Sequence, residues 1–302
     1  MKYTYILVPV FNEEDIIDIF IEKFLAVSKK ENNLFKIVFI DDGSNDTTWE
    51  KIKKITSMNS DTTGIKLIKN FGKDTAVKIG FDYLKDKDFE SVVVMDGDLQ
   101  HPIETVYEFI KLRKSFKVIQ GIRKKTNSSF IRKFLNKIFY FVVNILSDTK
   151  IKNNSTDFCL IDKCYFDFIR SELEFDNNLK ITISRLESVG FVNFLSPERT
   201  QGNSKFSIKK LIFLAIELII KKASTPLKFI IALVVFLTFM IGIFLMYYLN
   251  NETGYNIIFY LTLLNTLILV FTLLYLFYIA MRVIYLPINR IKYDYMIEDI
   301  TN

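Results

Sequence analysis

Two long apolar runs near the C-terminal end restrict what this chain of 302 residues can become. Residues 227–249 (LKFIIALVVFLTFMIGIFLMYYL) and 257–286 (IIFYLTLLNTLILVFTLLYLFYIAMRVIYL) each exceed the roughly 20 apolar residues needed to cross the hydrocarbon of a bilayer. In lipid every backbone polar group must be satisfied within its own segment, so each run is expected to be a transmembrane helix. Only NNETGYN joins them, and it carries no Lys or Arg. Lys221, Lys222 and Lys228 precede the pair, while Arg282, Arg290 and Lys292 close or follow it. The positive-inside tendency then puts the linker outside and both chain ends in the cytoplasm. Pro226 and Pro287 punctuate the boundaries of this hairpin.

Before Leu227 the pattern changes. YTYILVPV (3–10), FKIVFI (35–40), GIKLIKN (64–70), SVVVMD (91–96) and KVIQG (117–121) read as strands, several of them apolar on consecutive residues. Consecutive apolar positions are expected where both faces of a sheet are covered. Helical patterns fill about 13–30, 46–59, 73–86 and 102–114. Strand and helix in alternation imply an α/β fold with a mostly parallel, doubly wound sheet. The start, MKYTYILVPV, has neither a basic n-region nor a small-residue cleavage site, so this part is expected to remain cytoplasmic.

A ligand of such a sheet is expected beyond the carboxyl ends of its strands. Pro9, Asn12 and Glu13 follow the first strand, Asp41 and Asp42 the second, Asn70 to Lys73 the third, and Asp96 to Gln100 the fourth. Four loops thus converge on one crevice.

The net charge of +6 and pI near 9.0 suit nucleic acid, a membrane surface or phosphorylated ligands. Location separates these classes. Phe109 to Ser147 holds ten Lys or Arg and no Asp or Glu, and within it 130–147 combines Arg132, Lys133 and Lys137 with a broad apolar face. That is the composition of a helix lying in a membrane interface, and it disfavours nucleic acid as partner. SIKKLIFLAIELIIKKA (207–223) is expected to be a second interfacial helix. Cys159 and Cys164, with a single histidine, make neither a zinc site nor a disulfide framework, and both are expected to be reduced, half-buried packing residues.

The strongest chemical signal is VVVMDGDLQHP, a strand that ends in Asp96-Gly97-Asp98. Two carboxylates one residue apart can address one hard divalent cation whose shell substrate phosphates complete, and Gly97 permits the turn between them. Asp42 is expected at the nucleotide, with Ser44 or Asp46 capping the next helix. His101, between Gln100 and Pro102, is expected to be a positional residue beside the cation site.

Together VPVFNEE (8–14), FIDDGSNDTT (39–48), NFGKDTAVKIGFD (70–82), VVVMDGDLQHP (92–102) and TDFCLIDK (156–163) resemble the family 2 glycosyltransferases of GT-A fold. More narrowly the chain is similar to the polyprenyl-phosphate group, which includes dolichyl-phosphate mannose synthase and the bacterial bactoprenol glucosyltransferases. The resemblance implies that Pro9, Asn12 or Glu13, Asp42, Lys73 and Asp96 surround the nucleotide. It implies that Asp96, Asp98 and Gln100 hold Mg²⁺ or Mn²⁺, and that Asp157 is catalytic together with Asp98. Arg199, Gly202, Ser204 and Lys205 match the family's R-x-x-G-x-S-K segment, which, with Arg132, implies contacts to the acceptor phosphate. Phe206 stands where Tyr is commoner, Cys159 stands where bacterial relatives carry Arg, and 174–190 lacks the usual arginine-rich pattern.

The implied reaction is a single inverting displacement that moves a sugar from a UDP- or GDP-sugar to a polyprenyl (undecaprenyl-type) phosphate at the cytoplasmic membrane face. A homo-oligomer, a tetramer, is implied as well. A processive polysaccharide synthase of the same fold is disfavoured because its Q-x-x-R-W segment has no match; the only tryptophan is Trp49. A tethered sugar-nucleotide-binding protein without turnover is disfavoured by the intact Asp96, Asp98 and Asp157. The expected organisation is a GT-A domain over 1–205 that includes the 130–147 helix, an interfacial helix over 206–226, the hairpin over 227–286, and a cytoplasmic tail over 287–302.

Overall fold

A computed structural model describes residues 3–31, 35–124, 152, 154–175, 178–197 and 296–302, with isolated positions between 237 and 280. The expected alternation is present: β1 (Thr4–Val10), α1 (Ile17–Glu31), β2 (Phe35–Asp41), α2 (Thr48–Met58), β3 (Thr62–Leu67), α3 (Lys73–Leu84), β4 (Ser91–Val94), α4 (Glu104–Leu112) and β5 (Val118–Lys124). Every residue of β1 and β4 is buried, which is why both strands are apolar after their first residues, Thr4 and Ser91, whose hydroxyls bond each other at 2.9 Å.

Successive side chains of a strand point to opposite faces, and each face has its own helices. Leu7, Val38 and Ile40 pack under Ile79 and Phe81 of α3. Ile6, Val8, Ile37 and Phe39 pack under Phe20 of α1, Trp49 and Ile52 of α2, and Val106 and Phe109 of α4. Each fully buried side chain of this size contributes about 1.5–3 kcal/mol over an exposed one.

The sheet has eight strands, in the order β7-β5-β6-β4-β1-β2-β3-β8, and the sequence reading ended at the fifth. Three further strands, β6 (Ser155–Asp162), β7 (Val189–Leu195) and β8 (Ile297–Thr301), complete it; α5 (Lys163–Phe175) and α6 (Leu179–Ser184) lie between β6 and β7. The pairs β1·β2, β1·β4, β2·β3 and β5·β7 are parallel, whereas β6 enters antiparallel between β4 and β5. The Phe166 ring of α5 stacks on Phe81 at 5.1 Å, joining the new helix to the α3 layer. Cys159 is fully buried beneath that layer and Cys164 is exposed, so neither is half-buried as expected.

The tail is not a separate appendage. β8 pairs antiparallel with β3, matching Ile65 with Ile300, so the sheet extends beyond the boundary expected at residue 205. One compact unit comprises residues 1–133, 150–204 and 289–302; the other comprises 134–149 and 205–288, which separates most of the expected 130–147 helix from the GT-A domain. In the second unit the described positions are helical, and Leu273, Leu274 and Phe277 are exposed. Among the described residues no helix is long and apolar enough to cross a membrane, and both apolar runs lie largely outside those residues.

Candidate active site

The first two loops at the carboxyl edge are laced together. The Ser44 hydroxyl accepts the Asn12 N–H at 2.9 Å, and the Asn12 side-chain oxygen accepts the Asn45 N–H at 3.0 Å. The Glu13 N–H donates to the Thr48 hydroxyl at 2.9 Å. Asn12 has φ 53, a left-handed conformation that asparagine tolerates, and its side chain is committed to this lacing. Of the two candidates after β1, Glu13 is the one that lines the cavity described below. Asp46, one residue before the N-cap position Thr47, accepts the N–H of Thr48, the first residue of α2, at 3.0 Å. Ser44 instead donates its hydroxyl and its N–H to Asp41, whose carboxyl is buried and pushed up by that burial.

Asp42 faces the third loop. Its two oxygens accept the N–H groups of Phe71 at 2.7 Å and Gly72 at 2.9 Å. Burial raises its pKa against the pull of these two bonds. The turn they hold places Lys73 as the first residue of α3.

Strand register brings the carboxylates together. β4 and β6 run antiparallel with Val94 opposite Cys159, and the same register carried two residues on sets Asp96, just past the end of β4, opposite Asp157 within β6. The Lys73 ammonium sits between them, 2.5 Å from Asp96 Oδ1 and 3.1 Å from Asp157 Oδ2. Burial works against the ionised Asp96, but Lys73, with His101 and Arg123 helping, holds its carboxyl at about 2. Burial likewise opposes the charge on Lys73, and the two aspartates outweigh it to hold the ammonium well above the ordinary lysine range. Lys73 and Asp96 remain 37% and 28% exposed, so solvent tempers this attraction.

The Asp-Gly-Asp turn lies tight against β1, where a Cβ on Gly97 would come 2.7 Å from Val10 Cγ1. The Gln100 N–H donates to Asp98 Oδ1 at 3.1 Å, and the Gln100 carbonyl accepts the Ser196 hydroxyl at 3.0 Å. Leu99 has φ 59, a strained conformation for leucine inside this functional loop. His101 is 1% exposed and stacks on Phe158 at 4.6 Å. Its Nδ1 accepts the Asp96 N–H at 3.0 Å, so the neutral ring carries its proton on Nε2. It is the positional residue expected from the sequence.

Pro9, Glu13, Asp42, Lys73, Asp96 and Asp98 line one cavity of about 260 Å³. Asp157 adjoins through Lys73. As a donor set for Mg²⁺ or Mn²⁺, Asp96 and Asp98 are hard carboxylates on one turn, and among the described residues no group of three or more His, Cys, Asp or Glu converges. Such a pair fits a cation whose coordination is completed by substrate phosphates. Arg132, Arg199, Ser204 and Lys205 lie outside the described residues.

Arg123 was missed. It stands at the carboxyl end of β5, close enough to Asp96 and His101 to weigh on both, and its Nε has no hydrogen-bond partner among the described residues. β5 runs to Lys124 rather than stopping at Gly121 and so carries a cation to the same sheet edge.

A family model described as Glycosyl transferase family 2 matches residues 5–169. The bactoprenol glucosyl transferase of Shigella phage SfX is 30% identical over 226 residues, covering 74% of this chain and 73% of that protein. The prophage bactoprenol glucosyl transferase homolog of Escherichia coli (strain K12) is 29% identical with the same coverage. The undecaprenyl-phosphate 4-deoxy-4-formamido-L-arabinose transferase of Pectobacterium atrosepticum is 27% identical over 76% of this chain and 70% of that protein.

Proposed function

The chain belongs to the family 2 glycosyltransferases, in their polyprenyl-phosphate group, and on that premise we propose that it moves a sugar from a nucleoside diphosphate onto a polyprenyl phosphate by one in-line, inverting displacement. The observation that carries this reading is the meeting of Asp42, Lys73, Asp96 and Asp98 in one cavity, with Asp157 bound to the same lysine.

When bound at Asp96 and Asp98, Mg²⁺ or Mn²⁺ supplies Lewis-acid stabilisation of the departing diphosphate. The chain's own groups do the rest. Lys73, as a phosphate-binding point charge, faces the donor's diphosphate, and Glu13 and Asp42 bound the nucleotide side. A phosphate monoester has its second pKa near ~6, so a lipid phosphate is mostly dianionic at neutral pH. Asp157 then has no obligatory proton to remove. Its Oδ2 already accepts from Lys73, which suits a group that orients the acceptor and complements positive charge developing on the sugar. The acceptor phosphate is assigned to Arg132, Arg199, Ser204 and Lys205 on their chemistry and on the match of residues 199–205 to R-x-x-G-x-S-K.

The lipid chain cannot leave the bilayer readily, since each CH₂ is worth about 0.8 kcal/mol. The enzyme must therefore meet its acceptor at the cytoplasmic face of the membrane, held there by the two-span hairpin and the interfacial helices, as a homo-oligomer. The exposed Leu273, Leu274 and Phe277 support a lipid-facing surface. So does Thr266, whose hydroxyl is satisfied inside its own helix by the Leu263 carbonyl at 2.8 Å.

The test is to supply the purified enzyme with undecaprenyl phosphate, Mg²⁺ or Mn²⁺ and a panel of UDP- and GDP-sugars, and to identify the lipid product by mass. A lipid-linked monosaccharide is expected. Donor hydrolysis with no lipid product, or growth of a polymer, would refute the reading.

A further inference from the structure

We propose that Lys73 is an internal stand-in for the divalent cation: without ligands its ammonium holds Asp96 and Asp157 together, and the metal enters only with a nucleoside diphosphate that draws Lys73 onto its phosphates. This rests on the donor-site reading above and adds an order of events to it.

The argument begins with charge. The cavity is lined by four acids, Glu13, Asp42, Asp96 and Asp98, and one cation, Lys73. Strand register forces Asp157 to face Asp96 beside them, and two carboxylates at such a position repel unless a cation lies between. Lys73 is that cation, in contact with both. A metal ion arriving alone would have to take Asp96 from Lys73 and leave a dication next to an ammonium. A diphosphate arriving alone would meet an acidic wall. Arriving together they bring offsetting charges, and the phosphates give Lys73 a new partner as it releases Asp96.

The geometry permits this exchange. The Lys73 backbone is fixed, because Asp42 holds the Phe71 and Gly72 N–H groups immediately before it. Its flexible four-carbon stem is free to swing from the carboxylates to a phosphate without moving the main chain. Lys73 also opens the twelve-residue helix α3, whose first-turn N–H groups and dipole favour an anion at that end.

The experiment follows Mn²⁺ binding to the full-length, detergent-solubilised protein by the electron paramagnetic resonance of free Mn²⁺. It is run alone and with UDP or GDP, corrected for Mn²⁺ held by free nucleotide. Linkage requires each ligand to raise the other's affinity by one factor, and for wild type that factor is expected to be about tenfold or more. Lys73→Gln and Lys73→Met should bind Mn²⁺ alone at least about tenfold more tightly than wild type, with little added by nucleotide. Lys73→Arg, which keeps the charge, should retain the nucleotide requirement. Two neutral variants are read so that a folding defect in one does not decide the matter. The proposal is overturned if the neutral variants gain no affinity for Mn²⁺ alone, or if wild type binds Mn²⁺ equally with and without nucleotide. Absence of Mn²⁺ binding in every protein, with either nucleotide, overturns the metal reading of the donor site and this proposal with it.

Discussion

The Asp42 carboxylate accepts the Gly72 N–H at 2.9 Å, one residue before the lysine that bridges Asp96 and Asp157. An acid at the end of β2 thereby sets the position of a cation that starts α3. Asp42→Ala would leave the Phe71 and Gly72 N–H groups without their acceptor and is expected to lower stability by about 2–3 kcal/mol. Because Lys73 loses its fixed origin, the donor KM should rise at least tenfold while the acceptor KM changes little. Equal effects on both substrates, with an unchanged melting temperature, would contradict the clamp.

Two glycines near this clamp have positive φ but different surroundings. At Gly43 (φ 69) an added Cβ would meet the Lys69 carbonyl carbon and come within 2.8 Å of the Asn70 nitrogen, which is backbone and cannot step aside. At Gly72 (φ 94) nothing lies within 4 Å. Gly72→Ala should therefore cost only the left-handed conformation, about 1–2 kcal/mol. Gly43→Ala should cost more than that, because the loops after β2 and β3 must also move apart. Thermal unfolding of the two variants side by side checks the order.

Asp157→Asn separates two roles. A large fall in kcat with the shape of the pH–rate profile unchanged is expected if the carboxylate orients the acceptor and complements charge. A changed pH–rate profile, together with rescue of the rate at high pH, would establish a proton-abstracting role instead. Asp157→Asn should also weaken the hold on Lys73, so its Mn²⁺ affinity without nucleotide should differ from that of wild type.

His101 gives a pH dependence with a definite sign. Burial depresses it from 6.5 to about 4, so between these values the unfolded chain binds a proton that the folded chain refuses. Stability from this source is level above pH 6.5 and falls as the pH is lowered through the window, by about 3 kcal/mol in all. His101→Asn retains an acceptor for the Asp96 N–H but cannot titrate. It should be less stable than wild type at pH 7, having lost the stack on Phe158, and should close that gap as the pH falls towards 4.5. Unfolding at several pH values in EDTA measures the difference; parallel curves would show that the ring does not titrate as stated.

Most of the donor side could be read from the residues. β1 and β4 are buried throughout and β2 nearly so, which makes their sequences largely apolar, and the loops that follow these three strands carry acids whose positions after a strand gave them meaning. The antiparallel strand β6 was harder. TDFCLIDK was recognised for its chemistry, but nothing local says that Cys159 lies opposite Val94, and that register is what brings Asp157 to Asp96. Arg123 falls two residues past the KVIQG pattern, where nothing local says that β5 continues to Lys124. Asn12 and Ser44 were polar residues in the right loops with a different task, since both are spent on lacing β1–α1 to β2–α2. β8 was illegible: IEDIT has no alternation to announce a strand, it stays largely exposed, and its strand partner β3 lies far away in the sequence.

That last pairing has a consequence for biosynthesis. Until Ile297–Thr301 are synthesised, the β3 margin of the sheet keeps a row of unpaired main-chain groups, the kind of template on which chains aggregate. The catalytic half is translated first and must wait, with its β3 side open, for the hydrophobic segments to be made and for Ile297–Thr301 to return. Truncation before Ile297 would leave every proposed ligand-binding side chain in place and still uncover the β3 edge, so such an enzyme should aggregate more readily than one that keeps β8.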